Sequence, residues 1–196
     1  NFDYYTSTEL SELSTRLTSF DGQDLLVVST VQRVEVYRAS DIKKITTQGT
    51  SGEDHYRISN VDEYVEIIDL DTGDGSDLIE INLDDKNTVA DAINGITIST
   101  GSGNDIISIN GGVNDVLVGN IIIDAGSDDD RVKVSAAIVA NIIAQGGSGN
   151  DSLRLDGEQS NYTFFGAFGG AGRDTIMGRS EEHTSELQSH HDIVCP

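Results

Sequence analysis

The chain has no tryptophan, one proline, one cysteine and four histidines in 196 residues. A lone cysteine closes no intrachain disulfide, and so few soft ligands exclude a zinc cluster along most of the length. Basic residues are also scarce. Twelve Lys and Arg stand against 34 Asp and Glu, a net charge of -22, which argues against nucleic acid and anionic membrane surfaces as partners and for cations. No apolar run approaches the roughly 18 residues that would span a bilayer. Only 23% of residues are charged and 21 are glycine, which describes a turn-rich ordered β protein and not a disordered acidic tail.

What is present is a repeat. Five times an apolar pair is followed by a glycine-rich turn, an aspartate and a second apolar pair: Ile68 to Ile81, Ile96 to Ile109, Ile121 to Val134, Ile142 to Leu155 and Phe165 to Gly178. The copies align without gaps on Asp77, Asp105, Asp130, Asp151 and Asp174, at intervals of 21 to 28 residues. Weaker copies place aspartates at Asp54 (Gly52-Glu53-Asp54, with Tyr56 and Ile58) and Asp24 (Gly22-Gln23-Asp24, with Leu26 and Val28). One supersecondary unit repeated at this period, unable to bury its apolar face alone, implies a solenoid.

Side-chain parity gives the shape of one coil. Two and four residues after the aspartate stand Ile79 and Ile81, Ile107 and Ile109, Val132 and Val134, Leu153 and Leu155, with polar residues such as Glu80, Ser108, Lys133 and Arg154 between. The segment before the turn alternates likewise, so each copy reads as strand, tight turn, strand. The residues left over are too few for a crossover helix. The expectation is all-β: a parallel β-helix, or β-solenoid, with identical turns stacked about 4.8 Å apart along one edge. Val116 to Val118 and Ala137 to Ala140 read as a third short strand, and Asp84 to Asn94 as a protruding loop.

The turns carry the chemistry. Thr100-Gly-Ser-Gly-Asn-Asp105 puts two residues suited to positive φ into a six-residue bend, aiming backbone carbonyls toward a common point beside a carboxylate. Stacked carboxylates about 5 Å apart repel by about 3 kcal/mol at an effective dielectric near 20. A cation between turns relieves that cost, and calcium accepts six to eight carboxylate and carbonyl oxygens in flexible geometry. The competing reading is that the glycines shape corners and the aspartates cap the turns by accepting from backbone amides. Asp128-Asp129-Asp130 is either a strong cation site or a solvated acidic corner, and Asn104 and Asn150 suit the turn better than they argue for a side-chain ladder.

Gly146-Gly-Ser-Gly-Asn-Asp151-Ser-Leu153 and Gly169-Gly-Ala-Gly-Arg-Asp174-Thr-Ile176 resemble the haemolysin-type, or RTX, calcium-binding repeat, G-G-x-G-x-D-x-U-x with U a large apolar residue. Thr72 and Thr100 replace the first glycine in two other copies, and Ala125 with Asp128 departs in the third. The resemblance covers about 30 residues strictly and about 110 loosely. It implies calcium held by the aspartates and turn carbonyls, at Gly73, Gly75 and Asp77; Gly101, Gly103 and Asp105; Gly126, Asp128 and Asp130; Gly147, Gly149 and Asp151; and Gly170, Gly172 and Asp174. It further implies a secreted or cell-surface bacterial host such as a toxin, protease, lipase or adhesin. One departure stands out: the family's repeats follow every nine residues and these every 21 to 28, so the coil is larger.

Three segments follow. Residues 1–23 form an N-terminal segment in which Leu10, Leu13, Leu17 and Phe20 have the spacing of a short amphipathic capping helix; residues 24–178 form the solenoid; and residues 179–196 stand apart. Arg179-Ser-Glu-Glu-His-Thr-Ser-Glu-Leu-Gln-Ser189 resembles the translation of a sequencing-library adapter, so this tail is excluded from the fold expectation. It carries four acids, one base, three of the four histidines and the only cysteine, leaving -19 without it. The expected function is a non-catalytic calcium-binding structural or adhesive repeat region, with a carbohydrate or cell-surface ligand as a further partner. The alternative is a β-helical carbohydrate-active enzyme, a polysaccharide lyase or epimerase. His55 and the scattered Arg57, Lys86, Arg131, Lys133 and Arg154 would serve it, with Lys133 and Arg154 aligned in neighbouring coils.

Overall fold

The computed structural model describes residues 4–7, 11–59, 64–83, 93–111, 119–135, 141–156, 164–179 and 185–188. The elements are β1 (Tyr4–Ser7), β2 (Glu12–Phe20), β3 (Gln23–Thr30), β4 (Val34–Arg38), β5 (Lys44–Gln48), β6 (His55–Ser59), β7 (Ile67–Asp71) and β8 (Leu78–Asn82). After these come β9 (Gly95–Ser99), β10 (Ile106–Asn110), β11 (Asn120–Asp124), β12 (Arg131–Ser135), β13 (Asn141–Ser148), β14 (Ser152–Asp156), β15 (Phe164–Ala171), β16 (Thr175–Arg179) and β17 (Ser185–Gln188). The protein is a parallel β-solenoid. Odd strands β1-β5-β7-β9-β11-β13-β15-β17 make one sheet, and β16-β14-β12-β10-β8-β6-β2-β3-β4 the other.

Each coil contributes one strand to each sheet, and the apolar parity of the sequence sets which side chains face in. Ile68, Ile96, Ile121 and Ile142 lie in register across the first sheet, Ile79, Ile107, Val132 and Leu153 across the second, all buried. Each such side chain contributes about 1.5–3 kcal/mol of transfer free energy that no isolated coil could realise. The expected third strand, Val116 to Val118 and Ala137 to Ala140, lies outside the described residues, as does most of the Asp84 to Asn94 loop.

The N-terminal segment differs from expectation. No amphipathic helix forms over Leu13, Leu17 and Phe20; these residues belong to strand β2. Leu13, Thr15 and Leu17 alternate inward, while Phe20 is exposed. The β-branched Thr15 and Thr18 favour the strand, and Asp21-Gly22, at φ 50° and 72°, makes a tight primed hairpin into β3. The copy assigned to Asp24 is therefore no coil: Gly22 to Asp24 is this hairpin, and β2, β3 and β4 run antiparallel. Their inner face, with Leu13, Leu26 and Val28, packs on the end of the core. The copy at Asp54 is a true coil, with β6 pairing in parallel with β8. The tail departs as well. Ser185–Gln188, expected to stand apart, pair in parallel with β15. No helix among the described residues is long and apolar enough to cross a membrane.

Candidate functional site

Between the two strands of every coil lies the glycine turn. Gly73, Gly75, Gly101, Gly103, Gly126, Gly147, Gly149, Gly170 and Gly172 all have φ between 82° and 146°, and Asp128 takes the same place at 81°. Close approach adds a second requirement. A Cβ on Gly103 would stand 1.9 Å from the Gly75 carbonyl oxygen, and one on Gly149 2.0 Å from that of Asp128, so these two turns stack this closely because side chains are missing there, and Asp128 is the departure.

The stacked turns continue the sheet hydrogen bonding. Gly75 N–H donates to Ser102 O at 2.7 Å, Gly103 N–H to Ser127 O at 3.0 Å, and Ser127 and Ser148 N–H to Gly101 O and Gly126 O at 2.9 Å each. The Gly101 and Gly126 carbonyls point along the stack into the following turn and those of Ser102 and Ser127 into the preceding one, so these four do not gather beside the carboxylate as expected.

The five aspartates stand in single file. Asp77, Asp105, Asp130, Asp151 and Asp174 are 1–3% exposed, and Asp54 joins them fully buried. One oxygen of each is a cap. The Oδ1 atoms of Asp77, Asp105, Asp130, Asp151 and Asp174 accept from the N–H of the aspartate one coil earlier, at 2.8, 2.8, 2.9, 2.9 and 3.1 Å. The other is unmet: all five Oδ2 atoms are buried without a hydrogen-bond donor. At Asp54 the same oxygen accepts from Thr50 N–H at 2.7 Å. Thr72 and Thr100 hydroxyls lie near Asp77 and Asp105 and lower their pKa somewhat, but neither makes a hydrogen bond to them: Thr100 Oγ1 donates to Ala125 O at 2.8 Å and Thr72 Oγ1 is itself unmet.

Electrostatics follow from that burial. Desolvation, reinforced by neighbouring carboxylates, pushes Asp77 and Asp151 above the usual carboxylate range, Asp105 up to about 6 and Asp130 up to about 7. The highest value falls mid-file, where Asp130 feels Asp105, Asp151 and Asp128 together.

A second file runs outside the first. Asn104 N–H donates to Ser76 Oγ (3.2 Å), Asp129 N–H to Asn104 Oδ1 (2.9 Å), Asn150 N–H to Asp129 Oδ1 (2.7 Å) and Arg173 N–H to Asn150 Oδ1 (3.2 Å). Asn104 and Asn150 thus do form a side-chain ladder, against the turn-preference reading. The two files oppose each other: inner carboxylates cap the coil before, outer side chains the coil after, so the middle turns are fastened on both sides.

Asp128-Asp129-Asp130 resolves into three separate roles. Asp130 is in the buried file, Asp129 in the outer one, and Asp128 is exposed at positive φ. Asp128→Gly should therefore raise stability by about 1 kcal/mol in chelator, through relief of left-handed strain and of one like charge near Asp105 and Asp130. Thermal melting checks this, and a lower melting temperature would count against it.

The remaining candidates lie on the outer face of the second sheet. His55 is exposed and lines a cleft of about 300 Å³ with Glu12, Ser14, Thr30, Arg57 and Glu80; Arg57 and Glu80 form an ion pair at 2.6 Å. Sequence reasoning missed this cleft because Glu12 and Ser14 fell in the expected helix, whereas in β2 they register with His55 and Arg57. Lys133 and Arg154 are cross-strand neighbours, and Arg154 also pairs with Asp156. Lys86 lies outside the described residues.

For a metal, the donor set is hard oxygen throughout, arranged as a file. Among the described residues no three carboxylate, imidazole or thiolate groups meet at one point. No protein-family model, curated protein or solved structure matches the chain.

Proposed function

We propose that this chain is a non-catalytic, calcium-stabilised solenoid segment of a large secreted or surface-attached bacterial protein, acting as a spacer or adhesive stalk. The observation that carries the reading is the file of five buried Oδ2 atoms with no donor. A buried anionic oxygen without a partner is costly, and it is met by a proton or a cation. The carboxylates repeat at the hydrogen-bonded strand spacing of about 4.8 Å, and half of that, about 2.4 Å, is a calcium–oxygen distance and too long for magnesium. Asp77, Asp105, Asp130, Asp151 and Asp174 would hold the ions, which supply the missing positive charge. The two full G-G-x-G-x-D matches, ending at Asp151 and Asp174, support the same ligands.

Folding then follows calcium. Ligands that repel one another in the free chain gain their counterions only in stacked coils, so binding free energy becomes folding free energy. Such a chain is less stable where calcium is low and more stable where it is millimolar, which suits passage through a secretion channel before full consolidation outside.

Asp151→Asn tests the assignment. An asparagine Oδ1 still accepts from Asp130 N–H, so the cap survives while the charge is lost. Stability in chelator should hold or rise, and the calcium-induced shift in melting temperature should fall by the share of the two gaps that Asp151 flanks. Asp156→Asn, outside the turn, should leave that shift unchanged. Equal calcium responses from both variants would remove the aspartate file from the proposal.

A further inference from the structure

We infer that strand β4 is the dimer interface of this protein, pairing antiparallel with β4 of a second copy about a two-fold axis through Val36. β4 ends the second sheet, and no other strand among the described residues pairs with its outer edge. Val34 and Val36 on it are 65% and 57% exposed, with Val31 and Phe20 exposed nearby. Three usual protections of an edge, proline, lysine and a bulge, are missing from the strand itself.

The hydrogen-bonding phase fixes what the edge presents. Thr30 N–H donates to Arg33 O at 2.9 Å, and Val28 registers with Glu35. Alternation then turns the amides and carbonyls of Arg33, Glu35 and Tyr37 toward β3 and those of Val34, Val36 and Arg38 outward. An incoming antiparallel strand must match outward groups with outward groups. For a second β4, the register pairing Val34 with the symmetry-related Val36 sets Glu35 directly against Glu35, a repulsive pair. The register centred on Val36 avoids this. It pairs Val36 with Val36, Val34 with Arg38 and Glu35 with Tyr37, using all five residues and placing no like charges opposite each other.

That register also covers the apolar stripe. Val27 lies opposite Val36 on β3, so the dimer sets Val27, Val36 and their two mates in one row across the joint, flanked by both copies of Val34. Glu35 keeps its ion pair with Arg33 at 3.0 Å. The self-complementarity of this short strand favours a second copy over a foreign one. The inference does not depend on calcium, since β4 lies beyond the turn file.

The test is sedimentation or light scattering of the full chain across the micromolar range, with calcium and with chelator. The expected result is a concentration-dependent dimer of twice the 21.0 kDa chain mass. Val36→Lys, at an exposed position, should weaken it by about tenfold or more by setting like charges opposite each other. Val36→Pro should abolish it by removing the central donor. Val31→Lys, outside the strand, should leave it intact. A wild-type monomer at every concentration would assign the edge to another occupant and overturn the inference, as would a dimer indifferent to both Val36 variants.

Discussion

Calcium should raise the melting temperature of this chain by roughly 10–20 °C. One site held at 100 times its Kd contributes about 2.7 kcal/mol, so two occupied gaps give about 5 kcal/mol, and for a chain of this size about 1 kcal/mol moves Tm by about 2–4 °C. About 10 mM calcium meets that condition for Kd near 10⁻⁴ M, in the range of extracellular sites. The five aspartates with an unmet oxygen enclose four gaps, from Asp77–Asp105 to Asp151–Asp174, so the estimate uses half of them. Circular dichroism melts in calcium and in chelator provide the measurement, with magnesium at equal concentration giving a much smaller shift. Coincident melting curves in calcium and chelator would end the calcium reading.

The architecture was legible because its signal is local and repeated. The parity of Ile68, Ile96, Ile121 and Ile142 specifies one inward row, and the stacking of coils turns that row into a core. The positive-φ places were legible too, since glycine stands at nine of ten and the tenth, Asp128, tolerates the conformation. Sequence reasoning gave the carboxylates one edge but not their direction. An aspartate facing out and one facing in have the same spacing, and only the short reach from Asp130 Oδ1 to Asp105 N–H shows that the turn folds its acid inward. The ladder through Asn104 and Asn150 was hidden for a similar reason. Asparagine suits an isolated turn, and its bonds to Asp129 and Arg173 exist only between coils 21 to 25 residues apart. The N-terminal misreading has another cause: Leu13 and Leu17, four apart, fit a helical period as well as one face of a strand, and Gly22, half of the Asp21-Gly22 turn that settles the choice, also fits the repeat; Leu10 lies outside the described residues.

The second large effect is a pH dependence whose sign depends on calcium. In chelator, Asp105 and Asp130 have folded-state pKa values of about 6 and about 7, above the ordinary 3.8. The folded chain therefore binds more protons than the unfolded chain between those limits, and stability is fully present below about pH 4 and lost as pH rises through 6 to 7. At about 1.36 kcal/mol per pKa unit, the rise of Asp130 from 3.8 to about 7 alone corresponds to a loss on the order of 4 kcal/mol between pH 4 and 8, roughly 10 °C in Tm. The groups bearing on Asp130 are Asp105, Asp151 and Asp128, with the Asp105 N–H opposing them. Calcium reverses the slope, because metal and proton compete for the same oxygens and the metal gains as pH rises. General repulsion in a chain of charge -22 would also favour acid, so the decisive comparison is Asp130→Asn. This variant keeps the acceptor for Asp105 N–H and removes the titrating group, and it should flatten the chelator profile by much more than one acid among 34 could through net charge. A chelator profile that rises toward neutral pH, or one that Asp130→Asn leaves unaltered, would mean that the buried file is not what senses protons.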